Sequence, residues 1–95
     1  MPTTATHDAE RQRFTIPTDG GEAFLSYALG NTRIALLHTE VPAEAEGHGV
    51  GGSLVRSAMD YARANEMHVL PYCPFVQAWL KRHDEYADLV QPNKD

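Results

Sequence analysis

The stretch Glu46-Gly47-His48-Gly49-Val50-Gly51-Gly52-Ser53 decides how the rest of the chain is read. It places four glycines within the six residues 47–52, directly before a segment of helical periodicity. A missing Cβ lets backbone N–H groups approach a ligand closely. The first turn of a helix carries unpaired N–H donors, and the helix dipole favours negative charge there. Such a helix start is suited to an anion, and a diphosphate is its natural occupant. Downstream, Leu54, Val55, Ala58, Met59 and Ala62 fall on one amphipathic face, predicting a helix over about Gly51 to Ala64. Asn65 is suited to a left-handed cap at its end.

Upstream of the loop the period changes from helical to alternating. Arg13–Pro17 reads as a short strand, followed by the turn signal Asp19-Gly20-Gly21. In Glu22–Leu29, Ala23, Leu25, Tyr27 and Leu29 share one face of a second strand, with Phe24 and Ser26 on the other. Gly30-Asn31 makes another turn, and Arg33–Val41 is a third strand ended by Pro42. Three strands with tight turns predict an antiparallel meander. After the helix, His68–Cys73 reads as a fourth strand, parallel to the third because a loop and helix connect them. Pro74 suits the first position of a second helix, with Phe75, Val76, Trp79 and Leu80 as its buried face. The order β-β-β-α-β-α predicts an α+β domain, with helices packed on a mixed sheet. Residues 1–12 are polar and read as a flexible N-terminal tail, 13–90 as the domain, and 91–95 as a C-terminal tail.

The chain has 95 residues, 42% of them apolar, which is enough for one modest core. Its formal charge is −5, and its eight Lys and Arg form no stripe. Neither nucleic acid nor an anionic membrane is an expected partner. A single cysteine, Cys73, excludes an intrachain disulfide and suits a reducing compartment. With no signal core and no apolar run near a membrane span, a cytoplasmic address is expected. No metal is expected either: His83, Asp84 and Glu85 are adjacent in sequence rather than on one face.

Several readings of the loop compete. A P-loop needs a Gly-Lys-Ser/Thr, and no lysine lies near. Gly47, Gly49 and Gly52 satisfy G-x-G-x-x-G, yet a dinucleotide fingerprint should follow a first strand directly, and Pro42–Glu46 intervenes after three strands. A glycine-rich turn without a ligand is also open. The remaining reading is a family resemblance. Glu46-x-x-Gly49-x-Gly51, between an antiparallel meander and a helix, resembles motif A of the GNAT acetyltransferases, Gln/Arg-x-x-Gly-x-Gly/Ala, with Glu46 departing at the first position. His38-Thr-Glu-Val41, Pro71-Tyr-Cys-Pro-Phe75 and Arg82-His-Asp-Glu-Tyr86 are similar to small single-domain members, with Asp84 where a proline is usual. Together these stretches cover about Ala23 to Val90.

The resemblance implies that Gly47, His48, Gly49, Val50, Gly51, Gly52 and Ser53 hold the diphosphate of coenzyme A. It also implies a V-shaped gap between the third and fourth strands, with the pantetheine arm near Val41, Cys73 near the thioester, and Phe75 among the cofactor-binding residues. The expected activity is acetyl transfer from acetyl-CoA to an amine; the alternative is a module that binds coenzyme A or an acyl-CoA with little turnover. A monomer or homodimer fits an acceptor side left open or completed by a partner. Candidate catalytic residues are Cys73, at a helix N-cap that lowers a thiol pKa, and His38 and Glu40. Alternation puts the latter two on one face, where either can deprotonate an amine or simply be solvated. The tyrosine general acid of larger relatives has no match, leaving Tyr72 or Tyr86 as substitutes.

Overall fold

The computed structural model describes residues 5–90. Five strands form one sheet in sequence order: β1 (Thr6–Asp8), β2 (Arg13–Thr18), β3 (Gly21–Leu29), β4 (Arg33–Glu40) and β5 (His68–Pro71). The first four are antiparallel neighbours, and β5 runs parallel to β4. Helix α1 (Val50–Ala64) connects β4 to β5, and α2 (Pro74–Lys81) follows. The order is therefore β-β-β-β-α-β-α, with one strand more than the sequence reading.

The added strand, β1, lies in the stretch read as a tail. Thr-His-Asp has no apolar alternation, so local pattern cannot reveal it. Tertiary contacts hold it instead. The His7 ring stacks on Phe14 at 4.5 Å, meets Tyr61 edge-on at 4.6 Å, and hydrogen-bonds the Tyr27 hydroxyl. Arg11 Nε donates to Asp8 Oδ2 at 2.7 Å across the turn into β2, and this bond holds the Asp8 carboxyl below its ordinary pKa. Residues 1–4 and the C-terminal stretch 91–95 lie outside the described residues.

The core forms between one face of the sheet and the helices. Ala23, Leu25 and Tyr27 of β3, and Ile34 and Leu36 of β4, are buried against Leu54, Val55, Ala58, Met59 and Ala62 of α1. Leu29 continues the β3 alternation but lies at the strand end and is 44% exposed. The apolar run Ile34-Ala35-Leu36-Leu37 contains a bulge. Ser26 pairs with His38 and Tyr27 with Leu36, so Leu37 is left unpaired and exposed. A bulge bends its strand and increases local twist.

The same point ends the β4–β5 ladder. Its last pair is Leu36 with Pro71, and proline has no N–H to extend it. The N–H groups of Tyr72 and Cys73 both donate to Leu36 O, each at 3.1 Å. Hence β5 stops at Pro71 rather than at Cys73, and pairing with β4 ends there.

Helix α1 begins one residue before the expected start, with Gly49 as its N-cap. At its far end Asn65 has φ −107°, and the left-handed residue is Glu66, at φ 56°. Met67 N–H donates to Ala62 O at 2.9 Å and Glu66 N–H to Arg63 O at 3.2 Å, which is a Schellman motif one residue later than expected. Pro74 takes the first turn of α2 with Cys73 as N-cap, as the sequence predicts. Only Val76 and Trp79 of α2 are fully buried; Phe75 is 42% exposed.

Candidate functional site

A cavity of about 590 Å³ opens beside the start of α1. This is within the range of small-molecule sites, roughly 300–1,000 Å³. Gly47, Gly49, Val50, Gly51 and Gly52 line one side, and Thr39 and Val41, from the end of β4 and just beyond it, another. Phe75 and Trp79 of α2, with Arg82 at its end, complete the wall. The first intrahelical bond that closes on the loop runs from Ser53 N–H to Gly49 O at 3.0 Å. The N–H groups of Gly49, Val50, Gly51 and Gly52 precede that bond and have no partner inside the helix. No acidic residue sits in the first turn of α1, although Glu46, just before the loop, also lines the cavity. The loop glycines thus converge on one cavity.

Their physical reasons differ. Gly47 and Gly49 adopt φ of 85° and 80°, a left-handed backbone that a side chain disfavours, although a Cβ would meet nothing within 4 Å. Gly51 and Gly52 are required for space. A Cβ on Gly51 would lie 2.6 Å from Phe75 Cζ, and one on Gly52 would lie 3.0 Å from Trp79 Nε1. The second pair lets the aromatic rings of α2 rest on the first turn of α1. These two glycines shape the wall as well as the approach to the amides.

Other sequence candidates fall elsewhere. His48 lines a separate cavity with Asp19 and Glu44. Ser53 is half-buried, its N–H is taken by Gly49, and it does not line the cavity. His38 and Glu40 pair at 3.3 Å on exposed side chains. Thr39 pairs with Leu25, a core residue, so it faces the helices, whereas His38 and Glu40 face the uncovered side of the sheet. Thr39 is the cavity residue that sequence reading passes over; placing its two neighbours on one face already implies it lies on the other.

Cys73 is buried just behind the cavity wall, with its Sγ 3.5 Å from Thr39 Oγ1. Burial pushes the thiol pKa up. Hydrogen bonds from the Thr39 hydroxyl and from the N–H groups of Val76 and Phe75 outweigh it, and the thiol lies below its ordinary 9.0. Thr39→Val should reverse this balance. Followed by thiolate absorbance against pH, the midpoint should lie below 9.0 in the natural protein and move upward in the variant. An unmoved midpoint would remove Thr39 from the account.

Neither substitute tyrosine lines the cavity. Tyr72 is 61% exposed on the uncovered face. The Tyr86 hydroxyl donates to Asp60 Oδ1 at 2.6 Å and accepts from Arg56 Nη1 at 3.2 Å, tying the 3-10 turn Asp84–Leu89 to α1. Burial, with the Asp60 bond, raises its pKa above 10.0. His83 stacks on Trp79 at 3.6 Å and donates from Nδ1 to the Trp79 carbonyl at 2.8 Å. In the Arg82–Tyr86 motif, His83 and Tyr86 thus serve packing, and Arg82 reaches the cavity. Arg82 shares a helix face with Phe75 and Trp79 by spacing, a signal that reading the cations as scattered misses.

A glycine-framed cleft at a helix start, beside a β4–β5 pair that parts at a bulge, is the arrangement that the resemblance to the acetyltransferases implies. Comparison with known proteins agrees. Residues 13–89 match the model of the GCN5-related N-acetyl-transferase family. Protein NATD1 of Homo sapiens is 30% identical over 96 residues, spanning 96% of this chain and 85% of its own length. Protein NATD1 of Xenopus tropicalis is 30% identical over 91 residues, spanning 90% and 84%. A GCN5-like protein from Staphylococcus aureus, solved in solution, superposes with a TM-score of 0.75 at 26% identity, covering 98% of this chain and 92% of its own. The chain belongs to the GCN5-related N-acetyltransferase family.

Proposed function

We propose that the protein transfers an acetyl group from acetyl-CoA to an amine. The observation that carries this reading is the set of four residues, Gly49 to Gly52, that line the cavity and whose N–H groups have no intrahelical partner. They match the diphosphate of coenzyme A in charge and donor count. Acetyl-CoA supplies an activated thioester when bound. Val41 and Thr39 line the side where the strands part, which suits the pantetheine arm. Cys73, which contacts Thr39, keeps a thiol of lowered pKa next to that end and can exchange a proton with the departing sulfur. The His38–Glu40 pair lies on the uncovered face, from which an amine can approach, and can accept the proton that the amine loses.

A second reading, a coenzyme A binding module with little turnover, is favoured by one observation: neither the Tyr72 nor the Tyr86 hydroxyl lines the cavity. Incubation with acetyl-CoA and a panel of amines, following free thiol, separates the two. Amine-dependent thiol release supports the enzyme. Micromolar binding without release for any amine supports the module and contradicts the enzyme.

A further inference from the structure

We infer that Arg82 recognises the ribose monophosphate of coenzyme A and so distinguishes the coenzyme from its dephospho form; this rests on the coenzyme A reading above. Cys73, behind the gap, is the N-cap of α2, and the cavity-lining residues Phe75, Trp79 and, at the C-cap, Arg82 follow in order along the helix. At 1.5 Å per residue, Arg82 lies about 13 Å along α2 from Cys73. Phe75 sits over Gly51 and Trp79 over Gly52, so the glycine amides are adjacent to the middle of that path. In coenzyme A the pantetheine arm and the nucleotide leave the diphosphate in opposite directions. A diphosphate on the amides, with its thioester arm toward Thr39 and Cys73, sends the nucleotide toward Arg82.

Arg82 has the chemistry for that end. Among the described residues it is the one cationic side chain lining the cavity, which Glu46 also lines. Among the described residues its guanidinium makes no hydrogen bond or ion pair, whereas Arg56 and Arg63 are engaged with Glu85 and Asp88. In a chain of net charge −5, a phosphate dianion needs a local cation, and a guanidinium offers it a bidentate fork. Its backbone N–H caps α2, and its side chain is exposed.

The test is a four-affinity comparison by calorimetry at low salt: the natural protein and Arg82→Gln, each with coenzyme A and with dephospho-coenzyme A. The natural protein should prefer coenzyme A by about 5- to 10-fold, as a charge-assisted contact near the surface provides. In Arg82→Gln that preference should vanish, with dephospho-coenzyme A bound as before. An unchanged preference, or equal weakening of both ligands, overturns the assignment while leaving the coenzyme reading intact. Failure of the natural protein to bind either ligand overturns both.

Discussion

Gly49→Glu is expected to weaken coenzyme A binding by about 100-fold or more, equivalent to about 2.8 kcal/mol. Two effects separate here. Any side chain at this position must accept φ 80°, at a cost of about 1–2 kcal/mol in stability. Only Glu adds a carboxylate where four N–H groups await an anion. A Cβ itself meets nothing within 4 Å, so Gly49→Ala carries the same backbone strain without the charge. Calorimetric titration should therefore find Ala within several-fold of the natural affinity and Glu without measurable binding, with both variants folded. Equal losses in the two would assign the glycine to backbone geometry alone.

Trp79→Ala is expected to cost about 3–5 kcal/mol of stability, the range for truncating a buried aromatic. The ring is 4% exposed, stacked on His83 at 3.6 Å, and rests against Gly52. The Arg56 guanidinium lies 5.3 Å from its centroid. The following turn keeps its own bonds to α1 through Tyr86 and Arg63, but the ring itself sits where α2 packs on α1, so its loss falls on a junction and leaves a cavity. For a domain of this size, each kcal/mol lowers the melting temperature by about 4–8 °C, so a drop of about 12 °C or more should appear on thermal unfolding. A drop of only a degree or two would show that the α1–α2 junction does not depend on this ring. The Gly52→Ala variant should be less harmful in the Trp79→Ala background than alone, because the atom it would crowd is gone.

The parts of the molecule legible in sequence are those where local pattern and tertiary role coincide. The apolar face of α1 is one: Leu54, Val55, Ala58, Met59 and Ala62 are all fully buried. The alternation of β3 and the Pro74 helix start are others. The glycine loop is also readable, since four closely spaced glycines at a helix start have few physical reasons to occur. What escapes sequence depends on contacts between distant segments. Strand β1 is held by His7 against Phe14, Tyr27 and Tyr61, and its own three residues carry no pattern. The Leu37 bulge hides inside an apolar run, since Ile34-Ala35-Leu36-Leu37 reads the same whether pleated or bulged. Phe75 looks like core by helical spacing, yet it overlies a glycine rather than the sheet, and so faces the cavity. Thr39 and Arg82 become site residues only once the two helices and the end of β4 surround one space.

The amides at the start of α1 are the proposed coenzyme site. Amide NMR spectra of isotope-labelled protein, recorded while coenzyme A is added, test this most directly. The largest shifts should fall on Gly47 and on Gly49 to Gly52, with the Trp79 indole and Arg82 following and the open-face residues Leu37 and Tyr72 unmoved. Saturable shifts centred on the His48–Asp19 cavity or the open face, with the loop amides unchanged, would contradict it.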